Sequence, residues 1–303
     1  MQMRRETIKM PAGQSFRVIR WSHSVSAVQI QLADGRQQAL EGEGSHWHYH
    51  PEMELTLFTD GQGTRFVGDH IGRFESGDLV LLGGMLPHHW HASGQTAGLC
   101  LQWLFPPHHP LWSLPECWVL DKLFRCAVRG LRLTGPTRDM VAEGMQGLTQ
   151  TGGLARFGRL LELLAKLAEA PPGEAIAISS DSFMLPADAT YQEAISQVMR
   201  HLVANFRDEI HLDEVLKIAR MSRPTFARQF KRHTGRSLSD FLIELRLQAS
   251  CHELADTSRS VLEIALACGF SHVSFFNRVF RRTMGCSPSE YRIRRRTPGD
   301  IQI

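Results

Sequence analysis

Two segments of this chain repeat each other fifty residues apart. They are FARQFKRHTGRSLSDF, from Phe226 to Phe241, and FNRVFRRTMGCSPSEY, from Phe276 to Tyr291. Phe, Arg, Phe, Arg, Gly, Ser and Ser recur at matched places, while Lys exchanges for Arg, Asp for Glu and Phe for Tyr. The fold therefore has to offer one setting twice. Phe226 and Phe230 are four residues apart, so on a helix they share one face and belong inside. At about 100° per residue Arg228 points almost the opposite way, flanked by Pro224 and Lys231, with Arg232 a little further round. Ser222 suits an N-cap and Pro224 the first turn, where its missing N–H costs nothing. In the second copy Phe276 and Phe280 face inward, and Arg278 faces outward between Ser274 and Arg281.

Each copy follows a shorter helical pattern, LDEVLKIAR before the first and VLEIALACGF before the second. A short helix, a tight turn and a basic helix with a free outer face make a helix-turn-helix, whose second helix enters the major groove of DNA. Between the copies LSDFLIELRLQASCHELAD, from Leu238 to Asp256, reads as one rod of nineteen residues. Such a rod is about 28 Å long, enough to hold two reading helices toward successive major grooves about 34 Å apart. The alternative is that the arginines only solvate a surface. Six basic residues and no acid from Arg220 to Arg236, on a matched pair of faces, oppose that alternative. The YRIRRR run at 291–296 is less specific and suits either phosphate contact or a solvated end.

Charge divides the 303 residues in the same sense. Residues 1–190 carry 16 Lys and Arg against 19 Asp and Glu, whereas residues 191–303 carry 18 against 12. A polyanionic partner belongs with the C-terminal third. Ten of the fifteen histidines lie before residue 110, so the two halves should take different ligands. The length suits two domains, and no apolar run reaches the ~20 residues of a membrane span. The opening MQMRRETIKM lacks a following apolar stretch, and six well-separated cysteines without a C-x-x-C pair fit a reducing compartment. The expected location is cytoplasmic.

The segment from about 190 to 297 resembles the DNA-binding domain of AraC/XylS-family transcription regulators. The resemblance is carried by MSRPTFARQFKRHTG, LRLQASCHELADTSRSVLEIALACGF and FNRVFRRTMGCSPSEYR. It departs from the family at Leu216, where a small Ala is usual, and at Arg220, where Gly is usual; Ala265 and Gly269 follow the pattern. By matched position the resemblance implies base contacts from Pro224, Ala227 and Arg228, and from Val273, Ser274, Asn277 and Arg278. Arginine can grip the O6/N7 edge of guanine with two bonds. Lys231, Arg232, Arg281 and Arg282 are then the phosphate contacts, which position without specifying.

In the N-terminal half, residues 15–105 alternate short apolar runs such as MELTLF and GDLVLLGG with turns such as TDGQG. This pattern predicts an antiparallel sandwich or barrel. From 111 to 170 the period becomes helical: in LARFGRLLELLAKLAEA, Leu154, Phe157, Leu161, Leu164 and Ala168 share a face with Leu160 and Leu167 beside it. That stripe suits plain core or a dimer seam. Residues 171–189, rich in Pro, Gly and Ser, read as a linker.

The segment SHWHYHPEMEL gathers His46, His48, His50, Glu52 and Glu54, and LPHHWH follows with His88, His89 and His91. Alternate strand residues share a face, so the donors in the first segment can converge. The two segments resemble the paired motifs of a cupin barrel, in which the residues matching His48, His50, Glu54 and His88 surround a metal. The second motif here lacks the usual Pro-x-Gly. Three readings stand: a divalent metal site, a polar pocket for a small organic molecule, or histidines merely satisfied near a barrel mouth. The preferred reading is the pocket, with no metal and no cofactor. It is formed by His48, His50, Glu54, Arg65, His88 and Trp90, with Trp47 a further candidate, for a sugar, a sugar acid or an aromatic acid.

The combined expectation is a multi-domain α+β protein. A cupin-like effector-sensing barrel spans 1–110, a helical connecting or dimerising segment 111–170, a linker 171–189, and an all-α double helix-turn-helix domain 190–297. The expected function is regulation of transcription at promoter DNA, activation more than repression, in answer to a small molecule. RNA polymerase is the partner of an activator, and a homodimer is compatible. The rival from a different class is a metal-dependent cupin enzyme with a DNA-binding appendage.

Overall fold

The computed structural model describes residues 4–25, 27–32, 34–41, 47–92, 94–179 and 191–296. It divides into two units, Met1–Ala189 and Thr190–Ile303. The first unit opens with strands β1 (Arg4–Arg5), β2 (Phe16–Trp21), β3 (Ala27–Gln31), β4 (Gln37–Glu41), β5 (His48–Tyr49) and β6 (Met53–Asp60). Strands β7 (Gly63–Val67), β8 (His70–Phe74), β9 (Leu79–Leu82), β10 (His88–Ala92) and β11 (Ala97–Trp103) follow. Helix α1 (Val119–Ala127), strand β12 (Leu131–Leu133), helices α2 (Gly135–Gly147) and α3 (Gly153–Ala168), and strand β13 (Ala175–Ala177) complete it.

The strands form two sheets, ordered β1-β5-β10-β7-β8 and β13-β12-β9-β6-β11-β2-β3-β4. Neighbours are antiparallel apart from β1 and β5, which run parallel. Strand alternation gives the larger sheet two buried faces. Leu55 and Leu57 of β6, Leu79 and Leu81 of β9, and Leu99 and Leu101 of β11 pack against Leu123 of α1, Val141 of α2, and Leu160, Leu163 and Leu164 of α3. Their alternates Phe58, Val80, Leu82 and Cys100 meet Val67, Phe74 and Trp90 of the smaller sheet. Each fully buried leucine contributes ~1.5–3 kcal/mol relative to exposure. Burial on both faces explains why β9 reads as an unbroken LVLL rather than an alternating strand.

Two expectations are corrected here. Residues 111–170 are not a separate connecting segment: α1, α2 and α3 cover the larger sheet and share its core. The leucine stripe turns Leu160, Leu163, Leu164 and Leu167 inward, while Leu154 is 85% exposed. The stretch 171–189 is not all linker either. Ala175–Ala177 adds an edge strand to β12, and Ile178 and Ser179 donate their backbone N–H groups to the carbonyls of Gly130 and Arg129. Its Pro and Gly flank a strand too short to give a period; residues 180–189 lie outside the described residues.

The second unit is helical: α4 (Gln192–Asn205), α5 (Leu212–Ala219), α6 (Arg223–Thr234), α7 (Leu238–Asp256), α8 (Val261–Ala267), α9 (Val273–Met284) and α10 (Pro288–Arg296). The sequence repeat becomes a repeat of packing. Phe226 meets Phe230 with centroids 5.3 Å apart, and Phe276 meets Phe280 at 5.4 Å. Phe230 then stands edge-on to Phe241 at 5.5 Å, and Phe280 to Tyr291 at 5.6 Å. Gly235 and Gly285 end the two basic helices in the left-handed conformation, at φ 72° and 70°. That conformation is nearly free of cost only for glycine, which accounts for the repeated Gly. Ser237 and Ser287 start the next helices by accepting from the backbone N–H groups of Asp240 and Glu290.

Candidate functional site

The outer faces of α6 and α9 are matched. Phe226, Phe230, Phe276 and Phe280 are buried, which leaves Pro224, Ala227, Arg228, Lys231 and Arg232 exposed on α6. Ser274, Asn277, Arg278, Arg281 and Arg282 are exposed on α9, and Val273 is half-buried at its start. Arg278 lies over the ring of Phe275, 5.4 Å from its centroid. Beside it an open groove runs past Val261, Asn277, Arg281, Arg282 and Ser287, with no carboxylate on its wall. Ser222 precedes α6 as read from sequence, but its hydroxyl donates to the Thr225 hydroxyl rather than capping a backbone N–H. Arg292 is not a phosphate contact in waiting, because its guanidinium donates to the carbonyls of Leu254 and Arg259 and ties α10 to the end of α7.

In the first unit β5 and β10 pair so that His48 stands opposite His88. His48, His50, Glu54 and His88 each turn one donor atom toward a common point, all within 4.8 Å of one another and all buried. His50 Nε2 is 3.2 Å from Glu54 Oε2, and His88 Nε2 is 3.5 Å from the same oxygen. Glu54 is held from its own sheet: the Thr56 hydroxyl donates to Oε1 at 2.6 Å and the Gln102 amide to Oε2 at 2.7 Å. Arg17 donates in turn to Gln102 Oε1 at 2.6 Å. The register makes this row, because Gln102 of β11 stands opposite both Glu54 of β6 and Arg17 of β2. Burial works against a charged Glu54, yet His88 and His50 beside it hold its carboxyl well below the usual carboxylate range. Burial likewise disfavours the His88 cation, and the Glu54 carboxylate outweighs it, so the ring titrates above an ordinary histidine.

Beside the cluster is a small cavity of about 50 Å³. Glu6, His48, Glu54, Thr56 and Gln102 supply its polar lining, and Ile19, Trp21, Val25, Val28, Trp90 and Cys100 the rest. Burial, with Glu54 next to it, pushes the Cys100 thiol well above its usual range, so this cysteine is wall and not nucleophile.

Comparison with known proteins fits this geometry. A family model described as a helix-turn-helix domain matches residues 215–294. The HTH-type transcriptional activator RhaS of Salmonella arizonae is 26% identical over 256 residues, covering 81% of this chain and 86% of that protein. RhaS of an Enterobacter species is 37% identical over 98 residues, which is 32% of this chain and 35% of that one. A solved AraC-type regulator of Chromobacterium violaceum is 31% identical, covering 35% of this chain and 95% of that one, with a TM-score of 0.33. The chain belongs to the AraC/XylS family. It is a DNA-binding transcription regulator.

In this AraC/XylS regulator the structure brings together four of the six residues expected in the pocket. Trp90 lines the cavity as well. Arg65 does not. Its guanidinium is spent on Asp78, and burial, only partly offset by Arg65, raises the Asp78 carboxyl above its usual value. Trp47 packs edge-on to Phe66, 5.9 Å away, and is also absent from the wall. His46 lies outside the described residues. Sequence reasoning missed Glu6, Arg17, Thr56 and Gln102. Thr56 was within reach, since it shares Glu54's strand parity.

The donor set fits a metal ion. Nδ1 of His50 is 3.1 Å from the Glu52 carbonyl and Nδ1 of His88 is 2.8 Å from the Leu86 carbonyl. A carbonyl only accepts, so both Nδ1 atoms carry hydrogen and each ring aims its Nε2 inward. Among the described residues His88 Nε2 makes no hydrogen bond. Lone pairs facing a carboxylate call for positive charge between them, either a second ring proton or a cation. Ligands ~2.1 Å from one ion lie roughly 3.0–3.4 Å apart; the two spacings to Glu54, 3.2 and 3.5 Å, are close to this, and the whole set lies within 4.8 Å. No helix among the described residues is long and apolar enough to cross a membrane.

Proposed function

We propose that this regulator activates transcription in the cytoplasm, reading promoter DNA in two successive major grooves and tuning that reading to a small molecule held in the first unit. Arg228 and Arg278 are the principal base contacts, with Pro224, Ala227, Val273, Ser274 and Asn277 beside them. Lys231, Arg232, Arg281 and Arg282 take phosphates. The observation that carries this reading is the exposure of the same arginine on two helices pinned by the same aromatic pairs. The activator names of the RhaS relatives support the direction of control. Deoxyribonuclease footprinting of the full chain upstream of its neighbouring genes tests it. Two protected stretches one helical turn apart, resistant to random DNA at physiological salt, are expected. Protection of a single groove, or complete loss to random competitor, overturns it.

A divalent ion of the Mn-to-Zn series held by His48, His50, Glu54 and His88 deepens the sensor reading, on the evidence of the two fixed Nδ1 hydrogens. Bound there, it would supply a Lewis-acidic anchor for an oxygen donor of the effector. The largely apolar wall favours a small aromatic acid over a polyhydroxylated sugar. Ligand occupancy changes transcription only insofar as the two states of the regulator bind that ligand unequally.

A further inference from the structure

Glu6 reaches the histidine cluster from outside both cupin-like motifs. Strand β1 runs parallel to β5, with Arg4 opposite His48 and Arg5 opposite Tyr49. The backbone N–H of Glu6 then donates to the Tyr49 carbonyl at 2.9 Å, which extends the pairing by one residue. The pairing turns the Glu6 carboxylate inward. Its Oε2 lies 3.2 Å from His48 Nε2, its side chain is 13% exposed, and it lines the cavity. It stands just outside the four donors that lie within 4.8 Å of one another, so it would join an ion there by swinging further inward. Each of three imidazoles therefore faces a carboxylate oxygen at 3.2–3.5 Å: His50 and His88 face Glu54, and His48 faces Glu6.

We propose that Glu6 is a fifth donor to the ion at this cluster, so that the site is three histidines and two carboxylates and the N-terminal strand is part of the metal centre. The inference rests on the metal reading above. Two carboxylates neutralise a divalent ion in a buried setting, where one would leave net positive charge. They also shift the donor set toward oxygen, which favours Mn, Fe and Co over softer ions. Because Glu6 follows a strand of only two residues, an ion that binds its carboxylate also fastens that strand. A simple clasp between Glu6 and His48 would hold the strand without regard to metal.

The test uses the full chain, stripped with chelator and titrated with Co²⁺. Readouts are the visible absorption of the bound ion, affinity by chelator competition, and amide exchange over residues 4–8. Wild type should bind one Co²⁺ with a spectrum of five or more donors, and the ion should slow exchange at Glu6. Glu6→Gln keeps an amide oxygen for the His48 hydrogen bond but loses the charge. It should bind Co²⁺ about ten- to a hundredfold more weakly, with a changed spectrum and no slowing. Glu6→Gln with wild-type affinity, spectrum and exchange overturns the role of Glu6 and leaves the four-residue site intact. Wild type that takes up no Co²⁺ overturns both. Wild-type far-ultraviolet dichroism of the variant excludes misfolding as the cause.

Discussion

The two helix-turn-helix units are built from one plan, and the contrast between their turns shows where the plan is strict. In the second unit Gly269 occupies the left-handed position after α8 at φ +87°. A Cβ there would lie 2.7 Å from the Phe206 carbonyl oxygen and 2.9 Å from that of Arg207. In the first unit Arg220 holds the corresponding place after α5 at φ 52° and stays exposed. Both turns close with the same pattern, Met221 N to Leu216 O and Phe270 N to Ala265 O. The left-handed residue is thus required twice, but glycine is required only where another backbone crowds it. The half-buried Leu216, larger than the buried Ala265, is accommodated at the same turn.

This comparison can be broken most readily at Gly269. Gly269→Ala combines a positive φ with two backbone clashes and should destabilise the chain by about 2–4 kcal/mol, read as a lower unfolding midpoint. An unchanged midpoint would mean the α4–α5 connection yields freely. Next come the two arginines. Arg278→Ala should cost about 1–3 kcal/mol at a cognate site and relax the preference at one base pair. Arg228→Ala should cost less, because Arg278 is held in place over Phe275 whereas Thr225 at the matching position offers no ring. Quantitative gel shifts on cognate and random duplexes decide it, and equal losses on both would remove arginine from base reading. The smallest effect is expected at Arg220. Arg220→Gly removes the left-handed penalty and returns part of it as unfolded-chain entropy, leaving a gain of about 0.5–1 kcal/mol by urea unfolding.

How far the sequence could be read follows the range of the contacts. The basic helices and their buried Phe pairs were legible because a helix brings together residues three and four apart. His48, His50, Glu54 and His88 were legible through their likeness to the cupin motifs, whereas strand parity failed there: a bend at Pro51 and Glu52 puts His48 on β5 and Glu54 on β6, in different sheets. Arg17 and Gln102 were not: they belong to β2 and β11, and only the register beside β6 sets them in line with Glu54. Arg65 misled because parity says which face a side chain takes and not which partner it finds, here Asp78. The leucine stripe had the right period, while its partner, the outer face of the larger sheet, is contributed by strands from β2 to β12.

The sequence alone therefore determined the two DNA-facing helices, since spacing, caps and the repeated aromatic pairs act within a few turns of chain. Only the tertiary structure decided how the buried site in the first unit is held. His48, Glu54 and His88 stand on β5, β6 and β10 with His50 between β5 and β6, and sheet pairing sets Glu6, Arg17 and Gln102 beside them, residues whose separation along the chain carries no signal of that meeting.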